Sequence, residues 1–581
     1  MEEKNNLLGY ILCTPQEEDR VCCRELDDQR NINEYTYKNL LLSSYNFGSS
    51  LIENEVGEYI PLFLDTSYDF LRSFFGVLYA QKVCVPLHTI ANEDAITHIL
   101  RKVRAKSIIV TKPCLYKKLT QLDYVQEHIH TIFCSPDVLE QKALPCKHVD
   151  IFDIFNKQAN VETASTSIQK VVDECNPDDL MQIVFTSGTT GEPKGAMLSH
   201  RNIVSCVVRA GNHLQISPTF RTLTFLPLSH VMAQNEVFIA LTNRALVQIV
   251  GRDHLLYGLS NFQPNILVAV PRVYEAVYNG IQRKLRKKNF MRKLLHRCVD
   301  TYHKYRNASF FGKCYYGLFV HTVGNLVTSK VRKNIGQFKI LLTAGAACPQ
   351  HIYDFFEAIG MPLTNAQGLT EVSGAIVYNE PSKTHKGSIG YPLPGVEAKI
   401  AEDGEILFKG DPVFSGYFEE PDLNKLTLRE GGWFKTGDLG RKEIINGKEY
   451  IFLLGRKKEI LVLSSGLNIP PAQIEERILQ SGQELIQQAM VVGDGEPRLG
   501  ALIIPQSDHF NNPNIREEIS KIIRRVNMQM DASEKINNFE IICEPFTIEN
   551  GMLTPTMKIR RPVVFQRYKE VIGQLYSTTA V

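Results

Sequence analysis

The loop Thr186-Ser-Gly-Thr-Thr-Gly-Glu-Pro-Lys-Gly195, written TSGTTGEPKG, decides how the fold of this chain is interpreted. A Walker phosphate loop requires G-x-x-x-x-G-K-[ST], with the lysine directly after the second fixed glycine. Here Pro193 precedes Lys194, and Gly195 stands where the Ser or Thr should follow, so the Walker pattern fails on spacing. The hydroxyls, glycines and lysine still suit a turn that grips phosphate oxygens. Taken alone, however, an ordinary surface loop rich in Ser, Thr and Gly explains the stretch better.

The sequence before this loop predicts an α/β fold. An apolar strand at 181–185 leads directly into the loop, and earlier short strands alternate with helical patterns. The clearest unit consists of a helix at 70–81, a strand at 83–86, a helix at 92–103 with Asn92 as N-cap, and a strand at 107–111. The polar stretch 156–178 is interpreted as a connection.

The sequence after residue 387 predicts two further regions. The first has frequent glycines and short strands, the best of them at 404–410 and 450–455. The second is a small α+β unit with a helix at 515–528, for which Asn514 and Glu517 predict a capping box. We therefore expect a large N-terminal domain of α/β layers plus a β-rich subdomain (1–455) and a small α+β C-terminal domain (456–581).

Bulk composition narrows the class of protein. A chain of 581 residues exceeds what one hydrophobic core usually supports, so two or more domains are expected. The formal net charge of +2 gives no reason to expect a nucleic-acid partner. The thirteen cysteines lack metal-site spacing and are interpreted as reduced thiols. The N-terminus lacks the pattern of a secretory signal, and no apolar run approaches the ~20 residues of a membrane span, so a cytoplasmic location is expected.

The segment 274–305 has an unusual charge distribution. Apolar residues keep helical spacing, while basic residues between 283 and 297 occupy the other face. Three interpretations stay open: a solvated helix surface, a contact with a membrane surface, and a patch that binds an anionic ligand.

Five further motifs follow the loop in order: Leu226-Pro-Leu-Ser-His230, Asn365-Ala-Gln-Gly-Leu-Thr-Glu371, Trp433-Phe-Lys-Thr-Gly-Asp438, Gly455-Arg-Lys-Lys458 and Leu553-Thr-Pro-Thr-Met-Lys558-Ile-Arg-Arg561. Together with TSGTTGEPKG, this set resembles the adenylate-forming superfamily of acyl-CoA synthetases, luciferases and peptide-synthetase adenylation domains. The resemblance runs from about residue 35 to the end of the chain. The variant PTMKIRR and the stretch Val270-Pro-Arg-Val-Tyr-Glu275 are most similar to long-chain fatty acid–CoA ligases.

The resemblance implies a role for each matching residue in binding ATP and Mg²⁺. The phosphate loop would hold the β- and γ-phosphates through Thr186, Ser187, Gly188, Thr189, Thr190, Gly191 and Lys194. Thr370 would hold the α-phosphate and Glu371 the Mg²⁺, a task that suits a carboxylate. Asp438 would accept hydrogen bonds from the ribose hydroxyls, with Arg456 nearby.

The resemblance also implies which residues take part in the chemistry. Lys558 would bridge the acyl carboxylate and the α-phosphate, where two anions meet; Arg560 or Arg561 could share that role. His230 would position the acyl group beside the path of the thiol. The C-terminal domain would be mobile, with Lys458 as its hinge, and Gly466 would border the pantetheine channel for CoA.

The motif at 365–371 departs from the family pattern at one position. Family members usually carry an aromatic residue before the Gly-x-Thr-Glu, and its ring stacks on adenine. This chain has Gln367 there, followed by Gly368. Loss of that stacking should weaken ATP binding by roughly 1 kcal/mol.

The resemblance leads to one principal hypothesis and two alternatives. The principal hypothesis is an ATP-dependent ligase that converts a long-chain fatty acid to acyl-CoA through an acyl adenylate, with fatty acid, ATP and CoA as its small-molecule partners and with peripheral membrane contact through 283–297. The first alternative is an acyl-AMP ligase that loads an acyl carrier protein. The second is a non-catalytic nucleotide- or lipid-binding protein, which the presence of Glu371, Asp438 and Lys558 disfavours.

Overall fold

The computed structural model describes residues 4, 6–12, 17–186, 192–286, 289–336, 338–345, 348–380, 385, 387–482, 485–547, 549–554 and 558–577. Its helices are α1 Leu7–Ile11, α2 Tyr37–Glu53, α3 Tyr68–Tyr79, α4 Glu93–Lys102, α5 Pro113–Leu119, α6 Asp123–His128, α7 Pro136–Leu139, α8 Ile151–Phe155, α9 Val161–Glu174, α10 His200–His213, α11 Val231–Thr242, α12 Leu255–Asn261, α13 Pro271–Arg286, α14 Asn289–Asn307, α15 Phe310–Phe319, α16 Asn325–Ile335, α17 Gln350–Ala358, α18 Pro421–Thr427, α19 Pro471–Ser481, α20 Ile515–Asn527, α21 Arg561–Arg567 and α22 Lys569–Ser577.

The strands before residue 460 are β1 Val21–Leu26, β2 Ile32–Thr36, β3 Tyr59–Leu62, β4 Val83–Pro86, β5 Ser107–Val110, β6 Thr131–Cys134, β7 Lys147–Asp150, β8 Leu180–Thr186, β9 Lys194–Ser199, β10 Val247–Ile249, β11 Ile266–Ala269, β12 Ile340–Thr343, β13 Leu363–Leu369, β14 Gly374–Tyr378, β15 Ser388–Pro392, β16 Glu397–Ile400, β17 Glu405–Lys409, β18 Gly416–Tyr417, β19 Leu428–Arg429, β20 Trp433–Ile445 and β21 Lys448–Arg456. The later strands are β22 Leu461–Val462, β23 Asn468–Ile469, β24 Ile486–Val492, β25 Leu499–Pro505 and β26 Ile536–Ile541.

Two large sheets organise the part before residue 460. One has the strand order β18-β9-β8-β4-β3-β5-β6-β7, with parallel pairing from β4 through β7. The other follows β11-β12-β13-β14-β15-β21-β20-β17-β16; it is parallel from β11 to β13 and antiparallel beyond. A smaller sheet joins β10, β1 and β2. These layers confirm the predicted α/β class with a β-rich portion.

The later residues form their own small α+β unit. β24, β25 and β26 make a mixed sheet, and its two faces are covered by separate apolar clusters. α20 packs five buried positions, Ile515, Ile519, Ile522, Ile523 and Val526, into the first of these clusters. The helical spacing of these residues places them on one face of the helix.

Two local predictions were wrong. The stretch interpreted as a connection contains α9, because Ala164, Ile168 and Val172 form a narrow buried stripe within polar sequence and Asn160 caps the helix. The capping box at Asn514 is absent: its backbone is not extended and its side chain makes no capping bond. Asn512 instead accepts a hydrogen bond from the Asn514 N–H at 3.0 Å. The cap predicted at Asn92 is confirmed, with a bond from the Ala95 N–H at 3.0 Å.

Among the described residues, no helix combines the length and the apolar composition needed to cross a bilayer.

Candidate active site

The phosphate loop joins two paired strands. Thr186 ends β8 and Lys194 begins β9, and the two residues face each other in an antiparallel pair. A side chain at Gly195 would place its Cβ 2.7 Å from Ile183 Cγ2, so the strand requires glycine there. Ser187, Gly188, Thr189, Thr190 and Gly191 lie outside the described residues. The described ends, Thr186 and Lys194, therefore lie side by side where the two flanking strands meet.

The motif that contains Glu371 lies where β13 ends. Gln367 and Gly368 are at a bulge in the pairing with β14. A Cβ on Gly368 would lie 1.6 Å from Gly374 O, so close contact of the two backbones accounts for this glycine. Thr370 then begins a short 3₁₀ turn that carries Glu371. The turn projects both side chains beyond the strand end.

Tyr417 links this turn to the phosphate loop. Its hydroxyl donates to Glu371 Oε1 at 2.7 Å, and its backbone pairs with Ala196 in the strand that follows the loop. Burial, together with the charge on Glu371, raises the pKa of the tyrosine, so it remains a donor at neutral pH. Sequence reasoning missed Tyr417, because only the tertiary contact shows its role.

Asp438 and Arg456 face each other across β20 and β21. Asp438 is 5% exposed, and Arg456 Nε lies 2.8 Å from its Oδ1. Burial raises the pKa of Asp438, while the charges on Arg456 and Lys558 oppose that rise. The Asp438 N–H donates to Thr436 Oγ1 at 3.0 Å, which fixes the local backbone.

Lys558 comes within electrostatic reach of Asp438, although it is 120 residues away from it in the chain. Its side chain is exposed to solvent. The surrounding protein desolvates its ammonium group and, with the charge on Arg456, lowers the pKa; Asp438, Glu459 and Glu371 oppose the shift. The structure therefore brings the predicted lysine, both predicted carboxylates and the predicted arginine into one electrostatic environment.

The neighbouring arginines take other positions. Arg561 Nη2 lies 2.6 Å from Glu475 Oε1, and its Nη1 donates to Val491 O, so its guanidinium is used within the C-terminal unit. Arg560 Nη1 donates to Gly551 O at 3.3 Å. Of the three cations in this motif, Lys558 is the one whose charge acts on Asp438.

His230 precedes α11 and is in contact with a second histidine. The ring centroids of His230 and His88 are 4.0 Å apart, and His88 Nδ1 lies 2.9 Å from Ser229 Oγ. Burial lowers the pKa of His88 to about 4 and that of His230 well below its usual value; the charge on Lys558 contributes to the latter. Both rings are therefore neutral at pH 7. Sequence reasoning did not identify His88.

The segment after Arg456 contrasts two adjacent lysines. Lys457 Nζ lies 2.6 Å from Asp403 Oδ2 and 3.2 Å from the buried Glu405 Oε2, so it is held against the large part of the chain. Lys458 is exposed and has no ion pair among the described residues. Gly466 lies in an exposed turn with a φ of +84°, which favours glycine.

Glu371 is the residue that the resemblance implies as the holder of Mg²⁺. The described residues contain no cluster of three or more His, Cys, Asp or Glu side chains that could bind a metal by themselves. A single carboxylate instead fits an ion that arrives with a nucleoside triphosphate, since Mg²⁺ then takes most of its ligands from phosphate and water.

Comparison with known proteins identifies the family. A model of the AMP-binding enzyme family matches residues 14–418, and a model of the AMP-binding enzyme C-terminal domain matches residues 458–580. The chain therefore belongs to the AMP-binding enzyme family, the adenylate-forming superfamily that its motifs resemble, and it is an acyl-activating ligase.

Individual relatives give further detail. The chain is 30% identical to the chloroplastic long-chain fatty acid–[acyl-carrier-protein] ligase AEE15 of Arabidopsis thaliana, over 93% of this chain and 82% of that protein. It is 28% identical to the long-chain fatty acid–CoA ligase FadD15 of Mycobacterium bovis, over 90% and 88% respectively. The crystal structure of the anthranilate CoA ligase AuaEII with anthranoyl-AMP is 18% identical, covers 99% of both chains and superposes with a TM-score of 0.74, which shows a common fold.

Proposed function

We propose that this protein activates a long-chain fatty acid with ATP and transfers the acyl group to CoA. In the first step a carboxylate oxygen attacks the α-phosphorus, the bond to the β-phosphate breaks, and pyrophosphate leaves. In the second step a thiol attacks the acyl carbon and AMP leaves, with loss of the thiol proton. The observation that supports the proposal is that the Asp438–Arg456 ion pair and the Glu371 carboxylate act electrostatically on Lys558.

The first step requires positive charge between two anions. Lys558 supplies it as a compact ammonium group, and it acts on the developing charge at the α-phosphate. Thr370 donates to the same phosphate, and the loop ending at Lys194 holds the leaving pyrophosphate. Asp438 binds the ribose hydroxyls, and its pairing with Arg456 opposes the rise in its pKa that burial causes.

Mg²⁺ would be held by Glu371, and when bound it neutralises charge on the phosphates. Tyr417 orients that carboxylate through one oxygen at 2.7 Å. This bond restricts the orientation of the carboxylate that would hold the ion.

The second step uses a domain rotation. We propose that residues 1–455 and 456–581 are the two moving parts and that Lys458 is the hinge, since the tethered Lys457 directly precedes it. A hinge residue must absorb a backbone change, and the exposed side chain of Lys458 can remain in solvent in both states. The neutral His230 and His88 would line the acyl site, and Gly466 the channel for pantetheine.

An acyl carrier protein is the second candidate for the acceptor. The relative from Arabidopsis, at 30% identity, is named as a ligase for such a carrier, whereas the mycobacterial relative at 28% is named for CoA. Because the two identities are nearly equal, they do not favour CoA over a carrier protein as the acceptor. The following experiment distinguishes the two.

The test measures pyrophosphate release for saturated fatty acids of increasing length, with CoA, with a pantetheinylated carrier protein, or with neither. We expect release with long chains and an acyl-CoA product. If the acyl group is transferred to the carrier protein and no acyl-CoA forms, the carrier protein is the acceptor and the proposed CoA step is overturned. No release with any acid would overturn the ligase proposal altogether.

A further inference from the structure

The helices between residues 276 and 336 carry an extreme charge. This stretch contains fourteen Lys and Arg residues and one acidic residue, Asp300, whereas the whole chain carries 65 basic and 63 acidic residues. Lys284, Lys293 and Lys313 are exposed and form no ion pair within the described part of the chain. Cationic charge is therefore concentrated in one region, and that of these three lysines is not neutralised by an ion pair among the described residues.

The same helices expose large apolar side chains. Tyr315 and Leu318 on α15 are 78% and 73% exposed, and Leu326 at the start of α16 is 67% exposed. α15 and α16 are joined by the helical turn Val320–Gly324 without a break, so these three residues lie along one rod. Leu256 on the adjoining α12 and Phe290 on α14 are similarly exposed.

This region is nevertheless firmly attached to the rest of the molecule. The Tyr274 hydroxyl lies 3.0 Å from Leu267 O in β11 and 2.9 Å from Leu342 O in β12, fixing the first helix to the sheet. Arg306 pairs with Glu357, and Arg332 Nη1 donates to Ile359 O at 2.6 Å. The exposed face is thus a stable surface and not a frayed segment.

We propose that this face, which we call the insert face (residues Leu256, Phe290, Tyr315, Leu318 and Leu326 with Lys284, Lys293 and Lys313), docks the protein on an anionic lipid bilayer. The apolar side chains enter the interface between headgroups and acyl chains, and the lysines lie at the level of the lipid phosphates. An acidic carrier protein would also suit the cations, but a row of exposed apolar residues fits a bilayer better.

The inference adds a source of substrate to the proposed ligase, since long-chain acids partition into membranes. Its test is independent of that function, because docking is measured without ATP or fatty acid. Vesicles of phosphatidylcholine with 30 mole per cent phosphatidylserine are compared with pure phosphatidylcholine vesicles by sedimentation. We expect binding to the anionic vesicles that weakens with added salt.

Two sets of variants test the insert face. Lys284→Glu/Lys293→Glu/Lys313→Glu should reduce vesicle affinity more than tenfold, and Tyr315→Ser/Leu318→Ser/Leu326→Ser should abolish the binding that survives high salt. Matched controls change exposed residues elsewhere: Lys117→Glu/Arg525→Glu/Lys535→Glu for charge and Leu426→Ser/Ile444→Ser for the apolar set. These controls should bind as the unmodified protein does.

Three results would overturn the proposal. The first is that the unmodified protein does not bind anionic vesicles. The second is that the test and control variants lose vesicle affinity equally. The third is that the lysine variant binds vesicles as before but no longer binds an acidic carrier protein. The last result would assign the insert face to that protein partner. Circular dichroism of each variant separates loss of docking from loss of folding.

Discussion

Asp438 Oδ1 and Arg456 Nε lie 2.8 Å apart across two antiparallel strands, and Lys558, from the far end of the chain, adds its charge to the same carboxylate. Arg456 lies two residues before the proposed hinge, Lys458. In the proposed mechanism, a residue near the nucleotide is therefore adjacent in sequence to the point of domain movement.

Replacing Lys558 by Ala should reduce adenylate formation by a factor of about 10² to 10³, the usual effect of losing one group that stabilises transition-state charge. The consumption of chemically prepared acyl-AMP in the presence of acceptor thiol should change little, since Lys558 serves the first step. Pyrophosphate exchange and single-turnover thioester assays separate the two. Arg560→Ala is the matched control, and a loss as large as that of Lys558→Ala would contradict the assignment.

The pH dependence of adenylation should reflect the lowered pKa of Lys558. The protonated lysine is the active form, so activity is present below its pKa and is lost as pH rises through it. That loss should begin at a lower pH than an ordinary lysine would give. Lys558→Arg should retain some activity and remove this alkaline decline, because a guanidinium does not titrate in the range. The same decline in both proteins would exclude Lys558 as the titrating group.

Lys458→Pro should spare adenylation and impair thioester formation, because proline restricts the backbone at the proposed hinge. Lys458→Ala serves as the control and should leave both steps nearly unchanged, since the side chain has no ion pair among the described residues. The two half-reactions are assayed separately. Equal damage to both steps in the proline variant would argue against a hinge.

Gln367→Tyr should lower the KM for ATP, because an aromatic ring restores a stacking surface worth roughly 1 kcal/mol, or about fivefold. Gln367→Ala provides the comparison that removes the amide without adding a ring. Initial rates at saturating fatty acid give both constants. A KM that is unchanged or higher in the tyrosine variant would mean that the glutamine already makes an equivalent contact.

Glu236 gives a prediction about stability. Its side chain on α11 is 5% exposed, and neither carboxylate oxygen has a hydrogen-bond partner among the described residues. Burial raises the pKa of Glu236 well above its usual value, and the nearby Thr224 lowers it by a smaller amount. A carboxyl with a raised folded-state pKa favours the folded state below its unfolded value, near 4.5, and loses that contribution as pH rises.

Glu236→Gln should therefore gain thermal stability relative to the unmodified protein as pH increases from 5 to 8. Melting temperatures at several pH values test this, with the exposed Glu140→Gln as a control that should show no trend. A constant difference across the range would show that Glu236 does not titrate differently on folding.

Sequence alone could predict much of this molecule, and the misses have physical causes. Strand β4 and the N-cap at Asn92 are determined by residues close to them in the chain, so local sequence patterns were sufficient to predict them. Tyr417 and His88 meet their partners Glu371 and Ser229 across 46 and 141 residues, and no local pattern marks such contacts. Helix α9 was missed because its polar composition concealed a stripe of three buried residues.

The ion pair between Arg561 and Glu475 has a mechanical consequence. Arg561 follows Lys558 by three residues, and its guanidinium contacts both carboxylate oxygens of Glu475 at 2.6 Å in α19. This ion pair holds the chain just after Lys558 against α19 of the C-terminal unit. Lys558 therefore has little freedom to move independently of that unit. The distance between Lys558 and Asp438 therefore reports the orientation of the whole C-terminal unit. A pair of spectroscopic labels, one near each residue, would measure that distance.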